Sequence, residues 1–400
     1  MICYSCDYSG DDFTRRGFEN GKQVYVCPEC GFRSIRHTVD TLGGIESIGE
    51  TTDAAIEESI KVRKYQDIAN FEKRKANEVV RKLHEVESVQ KEILEVVSKY
   101  QFDNSIITTR FKRGTNSNHE RGIIQISDAH FNEIISLAHN KYDFSVASKR
   151  LQKLSQDAQS YFDARDITSI TVIFSGDQIN SDRRTDEMMA AGTNRSVATV
   201  IAADIIGKFL AELASKYYVS IHYVVGNESR VGDELAFSNT SAYDNYDYIL
   251  MQMLRSRFGK NDNIIFIEPV DPNETIVDIG GYRILALHGF NIKQNSMDTN
   301  IQQLIGKYAS QGILVDYVMC GHYHSPRISS NYARCASLCG ANAYSDMYLG
   351  LSSRASQNIY VLDTTCKSIS GMVVDLQNTD GYSGYKFDEL IAKYNPKSAD

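Results

Sequence analysis

From residue 121 onward, short apolar runs rich in β-branched and aromatic residues alternate with longer amphipathic stretches. The runs are GIIQIS, SITVIFS, VSIHYVV, NIIFIE, YRILAL and DYVMC, and amphipathic stretches at roughly 132–163 and 192–216 separate the first three. Strands that alternate with helices in this way predict an α/β sandwich with much parallel sheet. After residue 326 the alternation stops, and we expect RISSNYARCASLCGANAY and QNIYVLDTTCKSISGMVVDL to be strands that complete a second sheet.

Residues 52–100 have a different pattern, without glycine or proline and dense in Glu, Lys, Arg and aliphatic residues. This composition predicts one long helix, well above the usual length. Positions spaced alternately four and three apart form an a/d seam with one polar member. The seam consists of Val79, Leu83, Val86, Gln90, Ile93 and Val97. Such a seam either pairs with a second copy of the chain, as a coiled-coil homodimer, or packs on the rest of the same chain. Residues 101–119 are polar and slightly basic, which predicts a linker.

The composition excludes several classes of protein. Of 400 residues, 42% are apolar and 24% are charged, which is typical of a globular chain with a core and not of a disordered or collagen-like one. The most apolar stretch, VATVIAADIIGKFLAELA, is interrupted by Asp204 and Lys208, so we expect no membrane span. The first residues lack a secretory signal pattern, which predicts a cytoplasmic protein. The net charge is −8, so charge does not indicate nucleic-acid binding, and only motifs can indicate it.

Four of the eight cysteines form two CxxC pairs within the first 30 residues. The pairs Cys3/Cys6 and Cys27/Cys30 have the spacing of a zinc ribbon, in which four thiolates hold one structural Zn²⁺. A redox pair or free thiols are the alternative. The segment GFENGKQVYVCPECGFRS resembles ribbons of transposases and other nucleic-acid-handling proteins, which implies nucleic-acid binding. A purely structural or protein-docking role stays open. The other four cysteines lack metal spacing and are expected to be core thiols.

Polar motifs follow five of the predicted strands. Their chemistry-bearing residues are Asp128 and His130, Asp177 and Asn180, Asn227 and Glu228, His288, and His322 and His324. Because sites form at the carboxyl ends of strands in α/β sheets, these side chains are expected to converge. Carboxylate and imidazole suit divalent first-row metals such as Mn, Fe or Zn. Two such ions lower the pKa of water and hold a phosphate ester, so the motifs predict in-line hydrolysis at phosphorus.

The motif order D-x-H, GD-x-x-N, GN-E, H and GH-x-H resembles the signature of the calcineurin-like metallophosphoesterases over about residues 120–370. The chain is most similar to the branch that contains the nuclease subunit of double-strand-break repair complexes and related phage proteins, and the runs NKYDFSVASKRL and AYDNYDYIL add to this. The resemblance implies a four-layer αββα sandwich and attack on phosphodiesters by a metal-bridged hydroxide. It implies one ion held by Asp128, His130, Asp177 and His324, a second held by Asp177, Asn227, His288 and His322, and Asn180 as the residue that orients ligands.

Glu228 departs from the family pattern, because many members have a histidine directly after the Gly-Asn pair. A carboxylate at this place repels a phosphate unless it is protonated or neutralised by a cation. Three roles are open. In the first, Glu228 is a general acid. In the second, it pairs with nearby Arg230, and a donor other than Glu228, such as Arg230 itself or His119, faces the substrate. In the third, the site is catalytically impaired and still binds metal.

The predicted organisation is a zinc ribbon at 1–40, a long helix at 52–100, a linker at 101–119 and a metallophosphoesterase domain at 120–400. The expected function is that of a nuclease or DNA-processing enzyme with two divalent cations, Mn²⁺ ahead of Fe or Zn. DNA and a protein of DNA repair or replication are the expected partners. The alternatives are a phosphatase or phosphodiesterase acting on a small molecule or phosphoprotein, and a nucleic-acid-binding scaffold with an impaired catalytic site.

Overall fold

A computed structural model describes the protein in several stretches. They are Cys3, Cys6, residues 13–19 and 22–35, single positions and runs of two or three between 63 and 91, and residues 119–232, 242–343, 345–346 and 353–399. The chain forms two compact units, Met1–Gln90 and Lys91–Asp400.

The smaller unit contains a three-stranded antiparallel sheet. Its strands are β1 (Thr14–Glu19), β2 (Lys22–Val26) and β3 (Arg33–Ile35), in the order β1-β2-β3. Its core consists of Cys3, Phe13 and Cys27, against which Tyr25 packs. A core of this size is too small to stabilise a fold alone.

The described positions between 63 and 91 are helical and exposed. The predicted seam residues, from Val79 to Val97, lie outside the described residues, as does the predicted linker up to residue 118. Self-association through residues 52–100 therefore stays a prediction.

The larger unit contains the remaining described strands and helices. The strands are β4 (Glu120–Ile126), β5 (Ile135–Leu137), β6 (Asn140–Tyr142), β7 (Ser169–Ser175), β8 (Tyr218–Val224), β9 (Ile264–Phe266), β10 (Glu274–Ile279), β11 (Tyr282–Leu287), β12 (Tyr317–Cys320), β13 (Arg327–Ile328), β14 (Tyr332–Arg334), β15 (Ser356–Asp363) and β16 (Ser368–Asp375). The helices are α1 (Phe144–Asp163), α2 (Thr185–Ala190), α3 (Arg195–Ala214), α4 (Tyr246–Phe258), α5 (Met297–Ser310) and α6 (Asp388–Tyr394).

Two large sheets form the centre of this unit. One has six strands in the order β16-β15-β4-β7-β8-β9, and the other has five in the order β10-β11-β12-β14-β13. The neighbours β4, β7, β8 and β9 are parallel, as are β11, β12 and β14. The expected parallel character is confirmed.

Alternation along the strands shows where the layers lie. On β11, Ile284 and Ala286 belong to a buried cluster that includes Ile123 and Ile173 of the six-stranded sheet. Their neighbours Leu285 and Leu287 point the other way, into a cluster with Ile301 and other residues of α5. Successive strand residues face opposite sides, so one set fills the space between the sheets and the other packs on a helix.

Helices α1, α3 and α4 contact the six-stranded sheet. Each begins at a side chain that accepts a backbone hydrogen bond, Asp143 for α1, Asn194 for α3 and Asn245 for α4. With α5 on the five-stranded sheet, the layers are helix, sheet, sheet and helix, which confirms the four-layer αββα sandwich.

Three sequence-based expectations about this unit were wrong. The last predicted segment, QNIYVLDTTCKSISGMVVDL, joins the first sheet, because β15 pairs antiparallel with β4. Of the described strands after residue 326, only β13 and β14 belong to the second sheet. The amphipathic segment expected from residue 132 becomes helical only at Phe144, since β5 and β6 form a hairpin before it. Cys366, expected in the core, is exposed in the turn between β15 and β16.

No helix in the part of the chain that the structure describes combines the length and apolarity needed to cross a bilayer.

Candidate metal centre

The five polar motifs meet where the carboxyl ends of both sheets come together. Loops after β4, β7 and β8 of the first sheet and after β11 and β12 of the second supply the side chains. Two groups of potential ligands result, each with its ligand atoms within 4.8 Å of one another. They are Asp128, His130 and His324, and Asp177, His288 and His322.

In the first group, the nitrogens and oxygens face one another closely. His324 Nε2 lies 3.2 Å from Asp128 Oδ1, and His130 Nε2 lies 3.1 Å from His324 Nε2. Asp128 is fully buried and His130 is 5% exposed. A carboxylate and two imidazoles around one point form a set of donors that suits a divalent first-row ion.

The second group lies next to the first. His288 Nε2 is 2.7 Å from Asp177 Oδ2 and 4.0 Å from Asp128 Oδ1. The rings of His288 and His322 are 5.2 Å apart between centroids. The two groups are therefore close enough for one carboxylate to face two ions, and the bridging role of Asp177 stays a prediction.

Buried atoms without hydrogen-bond partners show that the residues fit a cation. Asn227 Oδ1 is buried and has no hydrogen-bond partner among the described residues, where the buried Asp128 Oδ1 and His288 Nε2 have close contacts only with other proposed ligands. Buried polar atoms are rarely left unpaired, because losing water without a replacement is costly. All three belong to residues predicted as ligands, and a bound cation would satisfy each of them.

In two of the histidines, a neighbouring oxygen fixes Nδ1, the ring nitrogen that does not face the centre. His288 Nδ1 donates to the Ser175 carbonyl oxygen at 2.7 Å, and His130 Nδ1 lies 3.0 Å from Asn180 Oδ1. These contacts place the proton on Nδ1 and leave Nε2 free as a ligand. The structure thus brings Asn180 to the orienting position that the sequence predicts.

Backbone conformation at the site is unusual. Asp128, His130, Asp177, His322 and His324 have φ between 47° and 70°. Non-glycine residues seldom adopt this left-handed region, and such residues cluster at functional sites.

Two motif glycines are required by close packing. A Cβ on Gly226 would lie 2.0 Å from Asp177 Oδ1, and one on Gly321 would lie 1.8 Å from Ser127 Oγ. The Gly-Asn and Gly-His dipeptides therefore let the loops approach each other more closely than any side chain would allow.

Asp247, in the first turn of α4, joins two of the loops. Its Oδ2 accepts from the backbone N–H groups of Asp177 at 2.8 Å and Gly226 at 2.9 Å, and its Oδ1 accepts from Gln178 N–H at 2.9 Å. Asn245 Nδ2 adds a bond to the Gly226 carbonyl oxygen. The start of α4 thus fixes the spacing between Asp177 and Asn227.

Charge at the site is strongly coupled. Burial lowers the pKa of His288, but the facing Asp177 carboxylate outweighs burial and raises it to about 10. Burial and the neighbouring His288 lower the pKa of His322 to about 4. Burial, with repulsion from Asp177, raises the pKa of Asp247 to about 6. A cation that displaces the His288 proton would make metal affinity rise with pH.

A cavity of about 840 Å³ adjoins both groups. His130, Asp177, His322 and His324 lie in its wall. Among the described lining residues, the other charged side chains are the acidic Glu133, Asp186, Glu187 and Glu228 and the basic Arg184.

Glu228 pairs with an arginine that the sequence did not single out. Its Oε2 accepts from Arg183 Nη2 at 2.7 Å, and its Oε1 accepts from Asn227 Nδ2 at 2.6 Å. Arg230 donates to the Asn227 carbonyl oxygen in the same loop. His119, the other donor that the sequence offered, precedes β4 at the end opposite Asp128, a position that does not favour this alternative.

The four N-terminal thiols form a separate candidate site. Cys3 Sγ lies 3.5 Å from Cys30 Sγ, and Cys6 Sγ lies 3.7 Å from Cys27 Sγ. Tetrahedral Zn²⁺ with Zn–S bonds of about 2.3 Å sets sulfur atoms roughly 3.8 Å apart. These distances fit one zinc ion, and all four thiols are free of disulfides.

Six of the seven predicted ligands thus form the two groups, with Asn180 beside His130. The seventh, Asn227, directly precedes Glu228, whose N–H donates to Asp177 Oδ1 at 2.7 Å. Asp247 and Arg183 were missed. The only sequence signal for Asp247 was the run AYDNYDYIL, which contains Asn245 and Asp247. An acidic residue in the first turn of a helix is also common without any function, so this signal was weak.

No protein-family model and no curated protein matches the sequence. Similar solved structures include an uncharacterized protein from Streptococcus pneumoniae TIGR4 described as a predicted phosphoesterase (13% identity, 66% of this chain and 93% of that chain covered, TM-score 0.29). Others are Vps29 complexed with zinc from Entamoeba histolytica (13%, 64% and 99%, 0.27) and the calcineurin-like phosphoesterase YfkN from Bacillus subtilis (11%, 69% and 95%, 0.29). TM-scores of this size are too low to assign a family or an activity to the chain.

Proposed function

We propose that the protein is a phosphoesterase that uses two divalent cations, with phosphodiester bonds of nucleic acid as its substrate. The observation that carries the proposal is the pair of Asp/His groups, His288 Nε2 being 2.7 Å from Asp177 Oδ2 and 4.0 Å from Asp128 Oδ1. We propose Asp128, His130, Asp177 and His324 for one ion and Asp177, Asn227, His288 and His322 for the other. When bound, the pair of ions would lower the pKa of water and neutralise phosphate oxygens.

The chain's own residues orient and enclose the reacting groups. Ser175 and Asn180 hold two imidazoles in the tautomer that presents Nε2. The Asp247 carboxylate fixes the spacing of the two loops, and burial of Asp128 and Asp177 excludes bulk water. A buried centre of this kind strengthens electrostatic interactions with a phosphate.

Support for nucleic acid comes from two features. One is the motif resemblance to the repair-nuclease branch. The other is the four-thiol module, a type of module that occurs in nucleic-acid-handling proteins, with Arg33 and Phe32 exposed beside it. An exposed arginine and an aromatic ring are the side chains that contact phosphates and stack on bases.

The second candidate is a phosphatase or phosphodiesterase for a small molecule. It is favoured by the cavity wall, where four acidic side chains other than Asp177 lie beside one arginine among the described residues. Such a wall does not attract a polyanion by charge.

The test is hydrolysis in Mn²⁺ of labelled single- and double-stranded DNA, a chromogenic phosphodiester and a phosphomonoester. Asp177→Asn is the inactive control, and Asp186→Asn, which removes a charge from the cavity wall without touching a proposed ligand, is the matched control. Digestion of DNA by the parent and by Asp186→Asn, but not by Asp177→Asn, supports the nuclease. Cleavage of only the small esters supports the second candidate, and salt-dependent DNA binding without any cleavage supports a scaffold.

A further inference from the structure

The position of Glu228 beside Asn227 gives this acidic residue a role other than proton transfer. We propose that Glu228, held by Arg183, is a positioning residue that turns the Asn227 amide so that its oxygen faces the metal centre. This inference rests on the proposed metal centre.

The Asn227 amide has a defined orientation. Its Nδ2 donates to Glu228 Oε1 at 2.6 Å, while its Oδ1 is buried without a hydrogen-bond partner. A carboxylate oxygen accepts and an amide oxygen cannot donate, so the reverse orientation would set two acceptors against each other. Glu228 therefore selects one of the two amide orientations, and it is the one in which the oxygen is left for a cation.

Glu228 is itself held in place by arginines. Its other oxygen, Oε2, accepts from Arg183 Nη2 at 2.7 Å. The side chain of Arg183 is 11% exposed, and its Nη1 donates to the Glu228 and Arg230 carbonyl oxygens at 3.0 and 3.1 Å. Arg195 Nη2 donates to the same Glu228 carbonyl oxygen at 2.8 Å. The arginines thus fix the backbone and the carboxylate together.

The contacts of Glu228 do not favour the alternative role as a proton donor to the substrate. Both Glu228 oxygens accept hydrogen bonds from the chain, so the residue has no donor directed at a phosphate in this arrangement. Its charge is compensated by Arg183, which limits repulsion of an anionic substrate. A neutral imidazole has one acceptor nitrogen, so the histidine that many family members carry here could not accept from Asn227 and Arg183 together.

The experiment measures Mn²⁺ affinity rather than turnover, on the full chain. Mn²⁺ prefers oxygen and nitrogen donors, so it reports on the Asp/His centre rather than on the thiols. Titration followed by electron paramagnetic resonance is done on the parent, Glu228→Ala, Asn227→Ala and the double variant. Residues that orient metal ligands contribute about 10- to 100-fold to affinity, so Glu228→Ala should weaken one of the two ions by that factor. In the Asn227→Ala background, the same change should have no further effect.

Two further variants complete the test. Glu228→Gln keeps an acceptor for Asn227 Nδ2, so its loss should be less than about fivefold. Asp186→Ala removes a charge from the same cavity wall at a side chain that is 67% exposed, so its effect should be within about twofold. The inference is overturned if Glu228→Ala leaves affinity unchanged, or weakens it equally with and without Asn227. If Glu228→Ala does not fold, Glu228→Gln decides, since a loss as large as that of Asn227→Ala contradicts the role. Two-ion binding with this coupling but without ester hydrolysis would refute the proposed function and leave the inference standing.

Discussion

Replacing Asp247 by Asn tests whether the start of α4 supports the metal centre. The buried carboxylate accepts three backbone N–H groups, two at Oδ2 and one at Oδ1. An amide can keep the two bonds at the Oδ2 position, but its NH₂ group then faces the N–H of Gln178. At least one hydrogen bond to a charged group is lost, which costs about 1.5–3 kcal/mol.

That cost should fall on metal binding. Since about 1.4 kcal/mol corresponds to a factor of ten, Asp247→Asn should weaken Mn²⁺ binding by roughly 10- to 100-fold if the ions depend on the loop spacing. Removing the buried charge also relieves repulsion with Asp177, so the metal-free protein should lose less stability than the loaded one. Calorimetric Mn²⁺ titration and thermal unfolding with and without Mn²⁺ measure both effects.

Asp143→Asn is the matched control. Asp143 is a buried aspartate before α1 that accepts from Val146 N–H at 2.8 Å and Ala399 N–H at 3.0 Å, with no bond to the Asp177 or Asn227 loops. Its substitution should leave Mn²⁺ affinity unchanged. The reasoning would be refuted by an Asp247→Asn protein that binds two Mn²⁺ ions within about twofold of the parent affinity, well below the expected loss.

Three other changes have defined outcomes. Gly226→Ala places a methyl group 2.0 Å from Asp177 Oδ1, so Mn²⁺ affinity should fall by more than about tenfold; unchanged titration curves would contradict the packing argument. Burial lowers the pKa of His222 from 6.5 to about 4, so as pH falls the histidine is protonated in the unfolded chain before it is protonated in the folded one. The free energy of unfolding should therefore decline by roughly 3 kcal/mol between neutral pH and pH 4. His222→Phe should remove this decline in urea unfolding at pH 7 and pH 4, and an equally steep decline would argue against it. Cys30→Ser should lower zinc content by about one equivalent per chain in elemental analysis while Mn²⁺ binding persists; undiminished zinc would exclude the thiolate site.

Much of the site could be anticipated because strands and motifs are local features. The run YRILAL coincides with β11, and SITVIFS coincides with β7, residue for residue. Both are mostly apolar because they are largely buried on both faces, and the polar motif that follows each run marks the edge of the sheet. Asp177 and His288 could therefore be placed at that edge before any coordinates were known.

Sheet membership and supporting contacts could not be anticipated in the same way. Nothing in the periodicity of QNIYVLD indicates that it pairs with β4 rather than with β14, since both neighbours offer the same backbone groups. Arg183 and Asp247 bind loops that follow other strands, and their partners are 45 and 70 positions distant. Such pairings depend on the tertiary fold, which a local pattern does not encode.

The placement of β15 beside β4 has a consequence for how the chain acquires its fold. Tyr360 of β15 donates to the Gln125 side chain of β4, 235 positions earlier. During synthesis, one edge of β4 stays unpaired until residues 356–363 leave the ribosome. Closing so long a loop is slow, and an open apolar edge invites aggregation in the meantime. We therefore expect refolding yields to depend on the concentration of the chain, and a truncation before β15 to accumulate as insoluble material.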